Sequence, residues 1–123
     1  MSSSHLDVVC LCADWCGTCR EYKATFDELQ SALPQHSYRW IDIEDEADFI
    51  GDVDVETFPT LLVAWQGRVM FAGPVLPRLG DAQRLLEVQQ HQAECAQVPG
   101  AALLNLPADQ IAAFQVLAAK ISD

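Results

Sequence analysis

Four of the five cysteines in this 123-residue chain lie within ten positions of one another, at Cys10, Cys12, Cys16 and Cys19. This crowding does not fit a disulfide framework, which spreads an even number of cysteines along the chain. Thiolates attack disulfides, and they also bind zinc and iron–sulfur clusters. The spacing therefore favours either redox chemistry or a metal site.

Cys16 and Cys19 are separated by two residues at the predicted start of a helix. They are close enough to form a disulfide with a small loop, and the helix dipole with its unpaired amides stabilises a thiolate on the first. We expect Cys16 to be the nucleophile and Cys19, one turn deeper, to be the resolving residue. Gly17 is expected to permit the tight entry, and Thr18 to influence the strain of the closed disulfide. A single pair with this spacing is only moderately specific, since zinc sites use it too, usually as two pairs.

The elements around the pair decide how it is positioned. Leu6 to Cys12 is a continuous apolar and β-branched run, which predicts a central strand covered on both faces. After Cys19 the apolar residues recur at helical spacing until Pro34 stops the helix; they are Tyr22, Phe26, Leu29 and Leu33. The cysteine pair is thus expected at a strand-to-helix junction.

The rest of the chain continues the alternation of strands and helices. We predict strands over 37–43, 60–65 and 69–71, the last two joined by a Gln66-Gly67 turn, and a short helix within the acidic 44–51. Asp81 is expected to cap a helix that runs to Ala93 or Cys95. After a linker with Pro99 and Gly100, Pro107 begins a last helix, with Ile111, Phe114, Leu117 and Ile121 on one face. These elements predict an α/β fold.

Three segments together resemble the thioredoxin family. They are Ala13-Asp14-Trp15-Cys16-Gly17-Thr18-Cys19-Arg20, then Thr57-Phe58-Pro59-Thr60-Leu61 at the start of a strand, and Gly73 after the hairpin. The resemblance covers about Leu6 to Ala93. It implies a three-layer sandwich with helices on both sides of a mixed sheet, as a thioredoxin-like domain over residues 1–96. Residues 97–123 would be a C-terminal linker and helix, packed on the same domain or on a partner.

The resemblance also assigns roles to residues. Pro59 would be cis and lie against the cysteines, Phe58 would offer backbone hydrogen bonds to an extended substrate, and Trp15 would form a lid beside the thiols. The expected substrate-binding residues are Trp15, Gly17, Thr18, Phe58, Pro59 and Gly73.

Several positions depart from the family pattern. Too few residues precede Cys16 for the family's first strand and helix, so we expect four strands. Cys10 replaces a buried aspartate that accepts the resolving cysteine's proton, Trp40 replaces that aspartate's lysine partner, and Cys12 replaces a tryptophan. We therefore expect slower resolution and a longer-lived mixed disulfide. The dipeptide is Gly-Thr instead of Gly-Pro.

Cys10 and Cys12 should share one face of the strand, because residues two apart in a strand point the same way. One reading makes them inert apolar residues, as buried free cysteines usually are. The other makes them auxiliary thiols with a redox or metal role. A metal site on all four cysteines is opposed by geometry, since a buried strand and a helix start rarely present four sulfurs tetrahedrally.

Composition limits the partners. The net charge is -11 with only seven Lys and Arg, which argues against nucleic acid and favours basic or neutral partners. An acidic run without any basic residue reads as a solvated face or a recognition rim; it comprises Glu44, Asp45, Glu46, Asp48, Asp52, Asp54 and Glu56. No basic leader and no apolar run of about 20 residues is present, so we expect neither secretion nor membrane insertion.

These features predict a cytoplasmic thiol–disulfide oxidoreductase that reduces protein disulfides. It would need no metal and no cofactor other than a redox-active Cys16–Cys19 disulfide. Its partners would be disulfide-containing proteins and an electron-donating reductase. The alternative is a thioredoxin-fold module that binds proteins with little or no redox turnover.

Overall fold

The computed structural model describes residues 5–13, 15–55, 58–75, 78–95 and 107–122. Its elements in chain order are β1 (Asp7–Cys12), α1 (Gly17–Ala32), β2 (Ser37–Asp42), α2 (Ala47–Ile50), β3 (Thr60–Trp65), β4 (Arg68–Pro74), α3 (Leu79–Glu94) and α4 (Ala108–Ser122). The predicted domain boundary after residue 96, the linker with Pro99 and Gly100, and residues Asp14, Glu56 and Thr57 lie outside the described residues.

The four strands form one mixed sheet in the order β2-β1-β3-β4. β1 pairs in parallel with β2 and antiparallel with β3, and β3 pairs antiparallel with β4. The predicted α/β fold, with a four-stranded mixed sheet flanked by helices and an extra C-terminal helix, is confirmed.

The central strand β1 is buried on both faces, as its continuous apolar run predicts. Val8, Cys10 and Cys12 point into a core shared with α1 and α3, where Tyr22, Phe26, Leu29 and Leu86 are buried. Val9 and Leu11 point to the opposite core. Cys10 and Cys12 therefore do share a face, and it is the face that α1 covers.

Helix α4 packs on the opposite face of the sheet. Phe114 and Leu117 are buried there against sheet residues such as Val9 and Leu62. Three polar side chains of α4 also bond to the backbone of the sheet and its loops. Gln115 accepts from the N–H of Val69 in β4 and donates to the carbonyl of Gly67 in the β3–β4 turn. Gln110 bonds to the 52–54 segment, and Lys120 donates to the carbonyl of Phe49.

Two predicted element boundaries were wrong by more than one residue. α3 begins at Leu79 with Arg78 as its N-cap, so Asp81 lies inside the first turn and does not cap the helix. A carboxylate is favoured in that turn too, because the helix dipole is positive there. β4 includes Gly73 and Pro74. Pro74 is tolerated since β4 is an edge strand, where the last residue does not have to donate a ladder hydrogen bond.

No helix within the described ranges combines the length and the apolar character needed to cross a membrane.

Candidate active site

Cys16 lies at the junction between β1 and α1. It is the N-cap of the 16-residue helix α1, its thiol is free, and the residue is half-buried. The Cys16 N–H donates to the carbonyl of Ala13 (3.0 Å), and the Cys16 carbonyl accepts from the N–H of Arg20 (3.2 Å). The backbone of Cys16 is thereby fixed on both sides. The positive end of the helix dipole favours a negative charge on its sulfur.

Cys19 forms a disulfide with Cys12 in the structure. This differs from the predicted Cys16–Cys19 bond. Cys12 ends β1 on the face that α1 covers, and Cys19 lies on the buried side of the first turn of α1, so their Cα atoms are 5.8 Å apart. Such a separation is typical of disulfides. Both residues are almost completely buried, at 0% and 1% exposure.

Cys10 lies beside this disulfide as a buried free thiol. Its sulfur is 3.8 Å from the sulfur of Cys12, toward which it can donate a weak hydrogen bond. Burial raises the pKa of Cys10 to about 12, and the nearby charge of Lys23 opposes that rise only in part. The Cys10 thiol is therefore protonated at neutral pH. Three of the four clustered sulfurs thus form one buried group.

Lys23 is a residue of the site that the sequence analysis missed. Its ammonium group lies 4.7 Å from the centre of the Trp40 ring, a cation–π contact. Trp40 is the β2 register partner of Cys10. A cation thus approaches the cysteine group from α1, although Trp40 occupies the position where the family has lysine. The available signal was spacing: Lys23 is four residues after Cys19, hence on the same side of the helix.

Trp15 and Phe58 meet beside the cysteines. Trp15 is 63% exposed, and its ring packs edge-on against Phe58 with centroids 5.6 Å apart. The Phe58–Pro59 peptide bond is cis, Pro59 is buried, and its carbonyl accepts from the N–H of Val75 at 3.0 Å. Two of the three segments that carry the family resemblance are therefore in contact.

The two glycines among the predicted site residues have room for a β-carbon. Gly17 is exposed, and a β-carbon there would meet no atom closer than 4.0 Å, so no tight entry requires glycine. A β-carbon at Gly73 would make only an ordinary contact, 3.7 Å from the Phe71 ring. Gly73 is paired with Leu61, two residues after Pro59. Thr18 is exposed in the first turn of α1.

A cavity of about 460 Å³ reaches Cys19 from the side of β2. Basic and acidic side chains share its lining, which consists of Ala13, Cys19, Arg20, Lys23, Trp40, Asp42, Asp45 and Glu46. Part of the predicted acidic run therefore borders the site. Glu46 forms a salt bridge with Arg39 at 3.1 Å, and Asp42 accepts hydrogen bonds from the N–H groups of Glu44 and Asp45.

The metal alternative is not supported by this arrangement. Two of the four clustered cysteines are joined to each other, and within the parts of the chain that are described no group of three or more His, Cys, Asp or Glu could hold a metal ion. His36 is buried as a structural residue whose Nδ1 accepts from the N–H of Leu6 (2.9 Å). Cys95, at the end of α3, is a free exposed thiol.

Curated relatives share short matches with this chain. It is 33% identical over 63 residues to a protein named putative thioredoxin H10 from Arabidopsis thaliana, which covers 51% of this chain and 41% of the relative. It is 25% identical over 80 residues to putative thioredoxin 2 from Streptomyces coelicolor, covering 59% and 60%. The chain thus spans less than two thirds of the length of either relative.

Solved structures share the fold at lower identity. Thioredoxin from Fasciola hepatica superimposes with a TM-score of 0.63 at 18% identity, over 71% of this chain and 83% of that one. Thioredoxin NaTrxh from Nicotiana alata gives 0.62 at 21% identity, over 70% and 74%.

The family model that describes thioredoxins matches residues 1–74, which is more than half of the sequence. This segment holds the strand-to-helix junction with Cys16 and the Phe58–Pro59 loop that packs beside it. The chain therefore belongs to the thioredoxin family.

Proposed function

We propose that this protein is a thiol–disulfide oxidoreductase that reduces disulfides in other proteins. Cys16 is the nucleophile and Cys19 is the resolving residue. The observation that carries the proposal is the free, half-buried Cys16 thiol at the N-cap of α1, with Cys19 one turn further along already engaged in a disulfide. Thioredoxins need no cofactor beyond their redox-active disulfide.

The first step is attack by the Cys16 thiolate on one sulfur of a substrate disulfide. The substrate S–S bond breaks, a mixed disulfide with Cys16 forms, and the other substrate sulfur leaves as a thiolate that takes a proton from solvent. The N-cap position places Cys16 at the positive end of the α1 dipole, which interacts favourably with the negative charge of the attacking sulfur.

The second step requires the reduced form of the protein, in which the Cys12–Cys19 disulfide has been opened. The Cys19 thiolate then attacks Cys16 Sγ. The mixed disulfide breaks, the second substrate thiol is released, and a Cys16–Cys19 disulfide forms. The substrate has gained two electrons and the protein dithiol has lost two. A reductase must then return two electrons to the protein. A reducing cytosol would favour this direction of flux.

The contact between Trp15 and Phe58 supports a substrate site beside Cys16. An exposed indole next to a backbone loop offers an apolar surface and hydrogen-bonding groups to an extended peptide segment. The acidic residues near Cys19 would favour basic segments around the substrate disulfide.

Reduction of insulin disulfides by the full chain, with dithiothreitol as electron donor, tests the proposal. The wild type is expected to accelerate reduction, and Cys16→Ser is expected to fall to the uncatalysed rate. Cys95→Ser is the matched control, since it removes an exposed thiol far along the chain, and it should retain the wild-type rate. Full activity in Cys16→Ser would refute the role of Cys16. Reversible disulfide formation without insulin reduction in the wild type would favour the binding module.

A further inference from the structure

Cys19 has two cysteines within reach. Cys16 is three residues before it at the start of α1, a spacing that places two side chains on neighbouring positions of the helix. Cys12 approaches from the end of β1 and forms the disulfide present in the structure. The two candidate disulfides share one sulfur, so the chain can hold only one of them at a time.

We propose that Cys12 is a third redox residue, which takes Cys19 from Cys16 after each substrate reduction and leaves Cys16 as a free thiol in the oxidised protein. The inference rests on the proposed function, because reduction of a substrate disulfide is the reaction that forms the Cys16–Cys19 bond.

The transfer is an intramolecular thiol–disulfide exchange. The Cys12 thiolate attacks Cys19 Sγ, the Cys16–Cys19 bond breaks and the Cys12–Cys19 bond forms. The Cys12 proton is lost and the departing Cys16 thiolate gains one, so the net change is an isomerisation. It requires neither oxidant nor reductant.

The surroundings of the three sulfurs favour this direction. Cys16 is half-buried at a helix N-terminus, where a departing thiolate is stabilised by the dipole and can reach solvent. Cys12 and Cys19 are both buried in the core cluster between β1 and α1, although charged side chains line the cavity that reaches Cys19, and a neutral disulfide is well suited to such burial. Cys10 Sγ lies 3.8 Å from Cys12 Sγ, toward which it can donate a weak hydrogen bond, whereas the disulfide in the structure joins Cys19 to Cys12 and leaves Cys10 free.

The consequence is an oxidised protein with an accessible thiol. If oxidation ended with the Cys16–Cys19 disulfide, Cys95 would be the exposed free thiol of the oxidised protein. After the exchange, the half-buried Cys16 is a free thiol as well. Cys16 could then form a mixed disulfide with a further thiol-containing molecule while Cys19 is held by Cys12.

Peptide mapping can distinguish the two disulfides. Cleavage before Asp7, Asp14 and Asp27 places Cys10 and Cys12 on one peptide, and Cys16 and Cys19 on the next. A Cys12–Cys19 bond joins the two peptides, while a Cys16–Cys19 bond closes a loop within the second. The full chain carrying Cys95→Ser would be oxidised with insulin, quenched with acid at intervals, alkylated and mapped by mass spectrometry.

The loop form, which contains the Cys16–Cys19 bond, should appear first. It should then convert to the joined peptides, which contain the Cys12–Cys19 bond, and alkylation of Cys16 should rise in parallel. Cys12→Ser should remain in the loop form with Cys16 unlabelled. Cys10→Ser, which alters a buried neighbour on the same strand face, should still give joined peptides. Cys16→Ser should acquire no disulfide from insulin, because the oxidising equivalent enters through Cys16.

A wild-type map with only the loop form at all times would overturn the proposal, as would joined peptides that persist in Cys12→Ser. The peptide map reports which cysteines are bonded whether or not insulin is reduced, so it tests the exchange separately from the proposed function. Insulin reduction accompanied by the loop form alone would leave the proposed function standing and refute the exchange. If insulin neither is reduced nor oxidises the chain, the proposed function fails, and oxidation with diamide still shows which cysteine bonds to Cys19.

Discussion

Substitution of Leu117 by alanine tests whether α4 is part of the folded unit. Leu117 is completely buried between α4 and the sheet, next to Phe114 and Ala113. Leucine and alanine both favour helices, so the change removes packing and leaves helix propensity nearly unaltered. The sequence left two partners open for this helix, its own sheet or a second chain.

The expected loss follows from the burial. Leu→Ala at fully buried positions lowers the free energy of unfolding by about 2–5 kcal/mol. A loss of about 3 kcal/mol at a urea dependence of about 2 kcal/mol per molar would lower the urea midpoint by roughly 1–2 M. Val116→Ala on the same helix is the matched control. Val116 is 57% exposed, and surface changes usually stay within about 0.5 kcal/mol.

Urea unfolding of both variants would be followed by circular dichroism, with all samples in the same oxidation state. The reasoning is refuted if Leu117→Ala costs no more than Val116→Ala. Docking on a second chain predicts instead that the effect varies with protein concentration, because association contributes to stability by mass action.

Two further predictions concern buried polar groups. Burial lowers the pKa of His36 from its ordinary 6.5, so its stabilising contribution is complete above pH 6.5 and is lost as the pH falls from there toward the folded-state pKa. His36→Asn removes the titrating ring but keeps an acceptor for the N–H of Leu6. Between pH 8 and 5 the free energy of unfolding should therefore fall less in this variant than in the wild type. The prediction is contradicted if the two proteins show the same dependence of unfolding free energy on pH. The hydroxyl of Tyr22 is buried and has no hydrogen-bond partner among the described residues, and burial raises its pKa. Tyr22→Phe should therefore stabilise the fold by about 1 kcal/mol in urea unfolding. A loss of that size would show that the hydroxyl has a partner.

Much of the fold follows from local pattern. The continuous apolar run of β1 and the helical spacing of Tyr22, Phe26 and Leu29 locate the strand-to-helix junction, because each has a period set by backbone geometry. The start of α3 was misplaced since Asp81 suits either the cap or the first turn, and propensity does not separate the two.

The pairing of Cys19 could not be read from the sequence. Spacing makes Cys16 the natural partner, whereas the contact with Cys12 depends on how α1 lies across β1, which is a long-range property. The same holds for Lys23, whose place over Trp40 requires α1 and β2 to be neighbours. Local pattern thus locates the cysteines, and tertiary packing determines which of them meet.

The bonds from Gln115 bear on how the sheet meets other molecules. β4 is an edge strand, and unpaired N–H groups on an edge invite pairing with a foreign strand and aggregation. The side chain of Gln115 accepts a hydrogen bond from the N–H of Val69 near one end of β4, and Pro74 at the other end has no N–H. Both ends of this edge are therefore poor templates for intermolecular strand addition, so the helix that covers the sheet also helps to protect it from self-association.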